Sequence, residues 1–235
     1  MKTIVVVPTY NEKENLPAME EALRRDAPGT DLMIVDDASP DGTGAIADAL
    51  AAKRPDSMRV LHRAGKQGLG RAYLDAFRAA LAAGYDAIVQ MDCDFSHDPK
   101  DVPRLLAELA KGADLAVGSR WVAGGRTVNW GVGRRLISRG GSFYARTILG
   151  VPYRDLTAGF KAWKRATLEA IALDEVDARG YGFQVEMTYR VHKRGLRIVE
   201  IPIVFVDRRV GQSKMTGGIV SEAATLVWKI KRRVR

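Results

Sequence analysis

The chain has 235 residues, 46% hydrophobic and 28% charged, a balance that suits one well-packed globular domain. A lone Cys93 excludes an internal disulfide framework and any cysteine-based zinc site. The net charge of +9 is uneven: residues 208–235 hold eight Lys/Arg against one acid, Glu222, which places +7 of it in the last 28 residues and points to a polyanionic partner.

In chain order, the first strand is expected over 3–7 (TIVVV), followed by a helical pattern over 15–25. The polar turn that follows MKTIVVV is unlike a signal peptide. Strands over 32–36, 58–62 and 87–91 then alternate with helical patterns over 44–54, 70–83 and 101–111. Two further strands are expected over 115–119 and 198–206. This β-α-β-α order predicts an α/β fold, a mostly parallel central sheet covered by helices on both faces. In such sheets ligands bind beyond the carboxyl ends of the strands. Pro8 to Glu12, Asp36 to Thr43 and Asp92 to Ser96 all fall there. No apolar run approaches the roughly 18–20 residues of a membrane-spanning helix, and a cytoplasmic location is expected.

The stretch QMDCDFSHDP (90–99) sets Asp92 and Asp94 one residue apart where a buried strand runs out into a loop. Like charges so placed repel, and a hard divalent cation such as Mg²⁺ or Mn²⁺ is one way to hold them together. The loop DDASPDGTG (36–44) taken alone reads as helix capping around an ordinary turn. Paired with the first, it makes two acidic loops at adjacent strand ends, as a metal-bound nucleotide diphosphate would use. GKQGLGRA (65–72) matches neither dinucleotide nor P-loop fingerprints, although Gly68 and Gly70 could let a nucleotide come close. His62, His97 and His192 are scattered, with structural or surface roles as the default, and no G-x-S-x-G elbow offers a nucleophile. Cations gather beside Gly and Trp in GSRW (118–121), WGVGRRLISRG (130–140) and FVDRRVGQSK (205–214), which suits a second phosphate belonging to an acceptor.

Taken together and in this order, VVPTYNEKENLP (6–17), VDDASPDGTG (35–44), GLGRAY (68–73), MDCDFSHDP (91–99), GSRW (118–121), RRLISRG (134–140), DLTAGFKAWKR (155–165), GYGFQVEM (180–187) and VDRRVGQSKM (206–215) resemble the dolichol- and polyprenol-phosphate mannosyltransferases. These are family 2 glycosyltransferases of the GT-A fold, and the resemblance runs to about residue 220. It implies that Pro8, Tyr10, Glu12, Asp37 and Gly68 line the donor nucleotide pocket with Asp92. It implies that Asp92 and Asp94 hold the metal, with Ser96 where some relatives place a further ligand. Arg120, Arg134, Ser138 and Arg208 match acceptor-phosphate contacts, with Lys214 nearby. Asp94, Arg120 and Arg208 are then the residues expected to carry catalysis.

The resemblance further implies transfer of mannose from GDP-mannose to a polyprenyl or dolichyl phosphate, with inversion. An anionic phosphate acceptor needs no dedicated base. The catalytic domain is expected over 1–216, and 217–235 reads as a basic amphipathic helix. Its stripe, Ile219, Ala223, Leu226, Val227, Ile230 and Val234, either packs on the domain or lies in a membrane interface. A lipid-linked acceptor favours the membrane for its basic end, with peripheral attachment at the cytoplasmic face and room for a membrane-protein partner. Two competing readings stay open: a UDP-glucose-dependent glucosyltransferase using the same sites, and a basic nucleic-acid-binding module, against which no reader motif occurs.

Overall fold

Four β–α units run through the first half of the chain: β1 (Thr3–Thr9) and α1 (Leu16–Asp26), β2 (Asp31–Asp36) and α2 (Thr43–Ala52), β3 (Met58–His62) and α3 (Leu69–Ala82), β4 (Ala87–Gln90) and α4 (Val102–Ala110). The second half adds β5 (Leu115–Ser119), β6 (Arg126–Val128), α5 (Val132–Leu149), β7 (Lys161–Lys164), α6 (Arg165–Ala170), α7 (Tyr181–Lys193), β8 (Ile198–Pro202), β9 (Val204–Val206) and α8 (Gly217–Arg233). This computed structural model describes residues 1–176, 181–207 and 217–234.

Seven strands form one sheet in the order β3-β2-β1-β4-β7-β5-β8. All neighbours are parallel except β7, which runs antiparallel to β4 on one side and β5 on the other. The predicted parallel sheet is present, with one inserted strand that the sequence reading lacked. The expected strand over 198–206 divides at Pro202 and Ile203: β8 pairs with β5, and β9 leaves the sheet to pair with β6.

Both faces of the sheet are covered, and β1 shows why its sequence is a continuous apolar run. Ile4 and Val6 point into a core built with Tyr73 and Phe77 of α3, Trp163 of β7 and Phe183 of α7. Val5 and Val7 point the other way, onto Leu16, Met19 and Leu23 of α1 and Leu105 of α4. All four are fully buried, and each contributes about 1.5–3 kcal/mol on leaving water. A Cβ at Gly70 would sit 3.0–3.1 Å from the Phe183 ring, so this glycine serves the packing of α3 on α7.

A third cluster joins α5 (Ala145, Leu149) and α7 (Val185, Tyr189) to Val227 and Ile230 of α8 and to Val234 just after it. The described part of the C-terminal stripe is therefore packed on the protein. Arg233 reinforces this with a 2.5 Å ion pair to the fully buried Glu186 carboxylate. Among the described residues no helix is long and apolar enough to cross a membrane.

Candidate active site

The carboxyl ends of β1, β2, β4 and β5 open on one rim of the sheet, where the chain must leave extended geometry abruptly. Four non-glycine residues in the loops of that rim adopt left-handed backbone: Asn11 after β1 (φ 61°), Ala38 after β2 (φ 54°), Phe95 after β4 (φ 58°) and Asn129 after β6 (φ 63°). Such conformations cost about 1–2 kcal/mol for a residue with a Cβ, and sites that hold ligands are where chains carry them.

The loop after β4 holds the paired carboxylates. Asp92 Oδ1 accepts a bond from the Tyr73 hydroxyl at 3.3 Å, and the Asp92 amide donates to His97 Nδ1 at 3.3 Å. Burial raises the Tyr73 pKa well above its ordinary value, and the Asp92 charge raises it further, so the phenol stays a proton donor to that carboxylate. Burial pushes His97 down to about 4. It is neutral, with Nδ1 as acceptor, which agrees with the structural role expected of it. Asp94 Oδ1 accepts the Ser96 amide at 3.1 Å. Asp98 caps the short turn at Pro99–Asp101 through the Lys100 amide and belongs to the scaffold. Cys93, between the pair, is buried, and its thiol is pushed well up by that burial and by the charges of Glu12, Asp94 and Asp92. Glu12 thus faces the same acidic corner from the β1 loop.

Two carboxylates are hard donors of the kind Mg²⁺ and Mn²⁺ take. The Ser96 hydroxyl adds a third oxygen: its Oγ is buried and has no hydrogen-bond partner among the described residues. A buried hydroxyl left so normally costs about 1–3 kcal/mol. Two carboxylates and a hydroxyl fit a divalent cation that takes its remaining oxygens from a ligand or water; among the described residues no cluster of three or more His, Cys, Asp or Glu could hold an ion.

On the nucleotide side, Asp37 is buried and bound by Arg63, whose other nitrogens reach Asp75 Oδ2 (2.9 Å) and Gln67 Oε1 (3.2 Å). Lys66 lies over the Tyr10 ring at 3.6 Å. Pro8 closes β1 one residue before its end, and Gly68 precedes α3 at φ 98°. In the second loop the aspartates hold the turn that leads into α2, whose N-cap is Gly42 without a side-chain cap: Asp36 accepts Ser39 Oγ at 2.5 Å, and Asp41 accepts Thr43 at 2.6 and 3.0 Å. Gly44 lets α2 approach, because a Cβ there would stand 2.8 Å from Asp36 Oδ2.

The cations gather across the rim. Arg120, after β5, makes a two-pronged bond to Asp155 (2.7 Å at both Nε and Nη2) and a third bond to Thr157 Oγ1 (2.8 Å). Burial pushes the Asp155 pKa up, yet the Arg120 charge and hydrogen bonds outweigh it and hold the carboxyl below its usual range. Among the described residues, Arg120 Nη1 takes no partner. Arg134, in the first turn of α5, bonds Asp207 at 2.7 Å and stacks on Trp130 at 4.1 Å. The Arg120 guanidinium lies 5.5 Å from that same ring, so Trp130 brings together two arginines that are 14 residues apart in sequence. Ser138 follows one turn along α5, half-buried. Arg208 and Lys214 lie outside the described residues. Sequence reasoning missed Arg63, Tyr73 and Asp155 as partners of site residues. Tyr73 and Asp155 stood inside recognised motifs, but nothing local pairs a residue with one 19 or 35 positions away.

A model of glycosyl transferase family 2 matches residues 4–172. The chain belongs to glycosyltransferase family 2. Among its relatives, the undecaprenyl-phosphate mannosyltransferase of Micrococcus luteus is 52% identical over 99% of this chain and 96% of that protein. The polyprenol monophosphomannose synthase of Mycolicibacterium smegmatis is 46% identical over 99% of this chain and 89% of that protein. A solved glucosyl-3-phosphoglycerate synthase from Mycobacterium tuberculosis, in complex with Mn²⁺, UDP-glucose and phosphoglyceric acid, superposes with a TM-score of 0.74 at 21% identity, covering 98% of this chain and 80% of that one. The fold is the GT-A fold of this family.

Beneath the rim, this family 2 glycosyltransferase buries Lys161 completely. Among the described residues its ammonium donates only to neutral acceptors: Gln184 O and Oε1 at 3.0 Å and Thr188 Oγ1 at 2.9 Å. Desolvation lowers its pKa from 10.5 to about 7. Below pH 7 the folded chain carries the buried charge at full cost. Between about 7 and 10.5 the folded state releases a proton that the unfolded state keeps, so stability rises with pH across that window. We expect wild type to gain on the order of a few kcal/mol there relative to Lys161→Met, measured by urea denaturation at matched pH values. Parallel pH profiles for the two proteins would show that Lys161 does not titrate in this range.

Proposed function

We propose that the chain transfers mannose from GDP-mannose to a polyprenyl monophosphate with inversion, giving polyprenyl phosphate β-mannose. The observation that carries this reading is a rim with two chemically opposite ends. At one end are paired carboxylates beside a partnerless hydroxyl, and at the other two arginines held against one tryptophan. The names of the two relatives supply mannose and the polyprenyl phosphate. Pro8, Tyr10, Glu12, Asp37, Gly68 and Asp92 serve the nucleotide, and Asp92, Asp94 and Ser96 hold a divalent cation, Mg²⁺ or Mn²⁺. Arg120, Arg134 and Ser138, with Arg208 and Lys214, receive the acceptor phosphate.

When bound, the cation neutralises charge on the departing nucleoside diphosphate. The chain's own residues do the rest. Tyr73 fixes the orientation of Asp92, and Arg63 fixes that of Asp37. Asp155 holds Arg120 in one geometry so that its remaining N–H group meets the incoming phosphate without reorganising. A phosphate monoester, with a second pKa of about 6, is already anionic near neutrality. Its oxygen attacks without a base, consistent with a neutral, buried His97. The deciding assay combines purified protein, Mg²⁺ or Mn²⁺, a polyprenyl phosphate and a panel of labelled sugar nucleotides. Mannosyl transfer from GDP-mannose alone supports the reading, and turnover with UDP-glucose instead would reassign the donor.

The acceptor's lipid also calls for a docking face, and α5 offers one. Val132, Leu136, Ile137 and Phe143 are 73, 66, 49 and 65% exposed, and Arg139 and Arg146 stand beside Leu136 and Phe143 on the helix. Apolar residues flanked by arginines suit the interface of an anionic membrane. Leu136→Glu with Phe143→Glu is expected to abolish most sedimentation with anionic vesicles while leaving turnover of a short, water-soluble acceptor intact. Unchanged sedimentation would move the contact elsewhere.

A further inference from the structure

The four tryptophans divide into two pairs. The indole N–H of Trp163 donates to Gln90 Oε1 at 3.2 Å, and that of Trp228 donates to the Tyr144 hydroxyl at 3.0 Å. Those of Trp121 and Trp130 are buried without a hydrogen-bond partner among the described residues, and so is Nε of Arg134. Buried polar groups are almost always bonded. Three exceptions in one place, all donors, describe a seat for something that only accepts.

The three groups share a single box. The Arg120 guanidinium lies 5.4 Å from the Trp121 ring, 5.5 Å from Trp130 and 5.4 Å from Phe205. Arg134 lies over the other side of the arrangement at 4.1 Å from Trp130, which meets Phe205 edge-on at 5.3 Å. The box stands at the start of α5, whose N-cap Gly131 provides no side chain to cap the helix. Among the described residues no side chain caps the first-turn amides of this 18-residue helix, which begins two residues after Trp130. Arg120 and Arg134 are already paired, with Asp155 and Asp207. What the box adds is hydrogen-bond donors, and an oxyanion with several lone pairs satisfies them together.

We propose that Trp121 and Trp130 are binding residues for the acceptor: their indole N–H groups, with Nε of Arg134 and the open first turn of α5, donate to its phosphate oxygens. This deepens the acceptor end of the proposed function and rests on that reading for the identity of the ligand. It adds two residues whose only side-chain polar atom is a donor, which favours a phosphate over a neutral alcohol at the same place.

The test uses the full chain labelled with ¹⁵N. Its four tryptophans give four indole N–H signals, assigned one by one with Trp→Phe variants. A short, water-soluble prenyl phosphate is titrated in. The Trp121 and Trp130 signals are expected to move downfield and saturate together, while that of Trp163 stays in place. Signals of Trp121 and Trp130 that move no more than that of Trp163 overturn the proposal. In turnover, Trp130→Phe retains a ring for Arg134 to stack on and is expected to raise KM for the prenyl phosphate about tenfold, with KM for the sugar nucleotide unchanged. Equal losses for both substrates would also overturn it. Indole shifts with no sugar transferred from any nucleotide would keep the seat and reject the proposed reaction. Normal mannosyl transfer with unmoved indoles would do the reverse.

Discussion

Asp155→Ala is expected to lower the unfolding free energy by about 3–5 kcal/mol, the usual cost of stripping one partner from a buried ion pair. Asp155 has no exposed side-chain surface, and Arg120 has 9%. The variant leaves the guanidinium with Thr157 alone, in a box of aromatic rings that gives a cation little compensation for lost water. Replacing both partners by apolar groups, Arg120→Met with Asp155→Leu, removes the charge problem together with the pair. The double variant is expected to recover most of the stability and none of the activity, because the proposed acceptor contact leaves with Arg120. Urea denaturation of the three proteins, with activity measured beside it, separates the two effects. A single variant within about 1 kcal/mol of wild type would mean that Arg120 finds another partner on its own.

Asp94→Asn is expected to reduce catalytic efficiency by on the order of 10²–10³-fold, the scale seen when one group stabilising developing charge is lost. The change is nearly isosteric, and Asn Oδ1 can still accept the Ser96 amide, so the loop around Phe95 should keep its shape. What disappears is half of the negative charge that the pair offers a cation. Calorimetry with GDP in the presence and absence of Mn²⁺ gives the direct measurement. Wild type is expected to bind GDP more tightly with the metal, and the variant to bind it with the same modest affinity either way. Metal-enhanced binding that survives the substitution would move the cation from this loop.

Much of the fold could be read from periodicity because β1, β2 and β4 are apolar on both faces and α1 to α4 keep the helical repeat. β7 escaped for a physical reason. It is four residues long, begins and ends with lysine, and reads as a polar loop. Lys161 is nonetheless fully buried, its ammonium hydrogen-bonded by Gln184 and Thr188 of α7 rather than by neighbours in sequence. The site divides in the same way. Asp92 and Asp94 were legible because adjacent carboxylates at a strand end are locally unfavourable. Arg63 beside Asp37, and Asp155 beside Arg120, were not, since each pair is made by loops that meet only once the sheet has folded. The C-terminal stripe left packing and membrane contact equally open. Its burial under α5 and α7 takes up the stripe residues Val227, Ile230 and Val234, while four exposed apolar residues, Val132, Leu136, Ile137 and Phe143, lie on α5, a segment read only for its cations.

The insertion of β7 between β4 and β5 also sets an order of assembly. As the chain leaves the ribosome, β1 to β4 can pair into a four-stranded sheet once about residue 90 has emerged. The strand that must cover the open side of β4 arrives some 70 residues later, after β5, β6 and α5 have been made. Until then β4 presents an unpaired edge, and Ile88 and Val89 lack the Trp163 and Ala162 that they face in the finished sheet. Unpaired apolar edges recruit other chains. Nascent protein stalled between roughly residues 90 and 160 is therefore the form that needs a chaperone, and no amino-terminal fragment ending there should stay in solution alone.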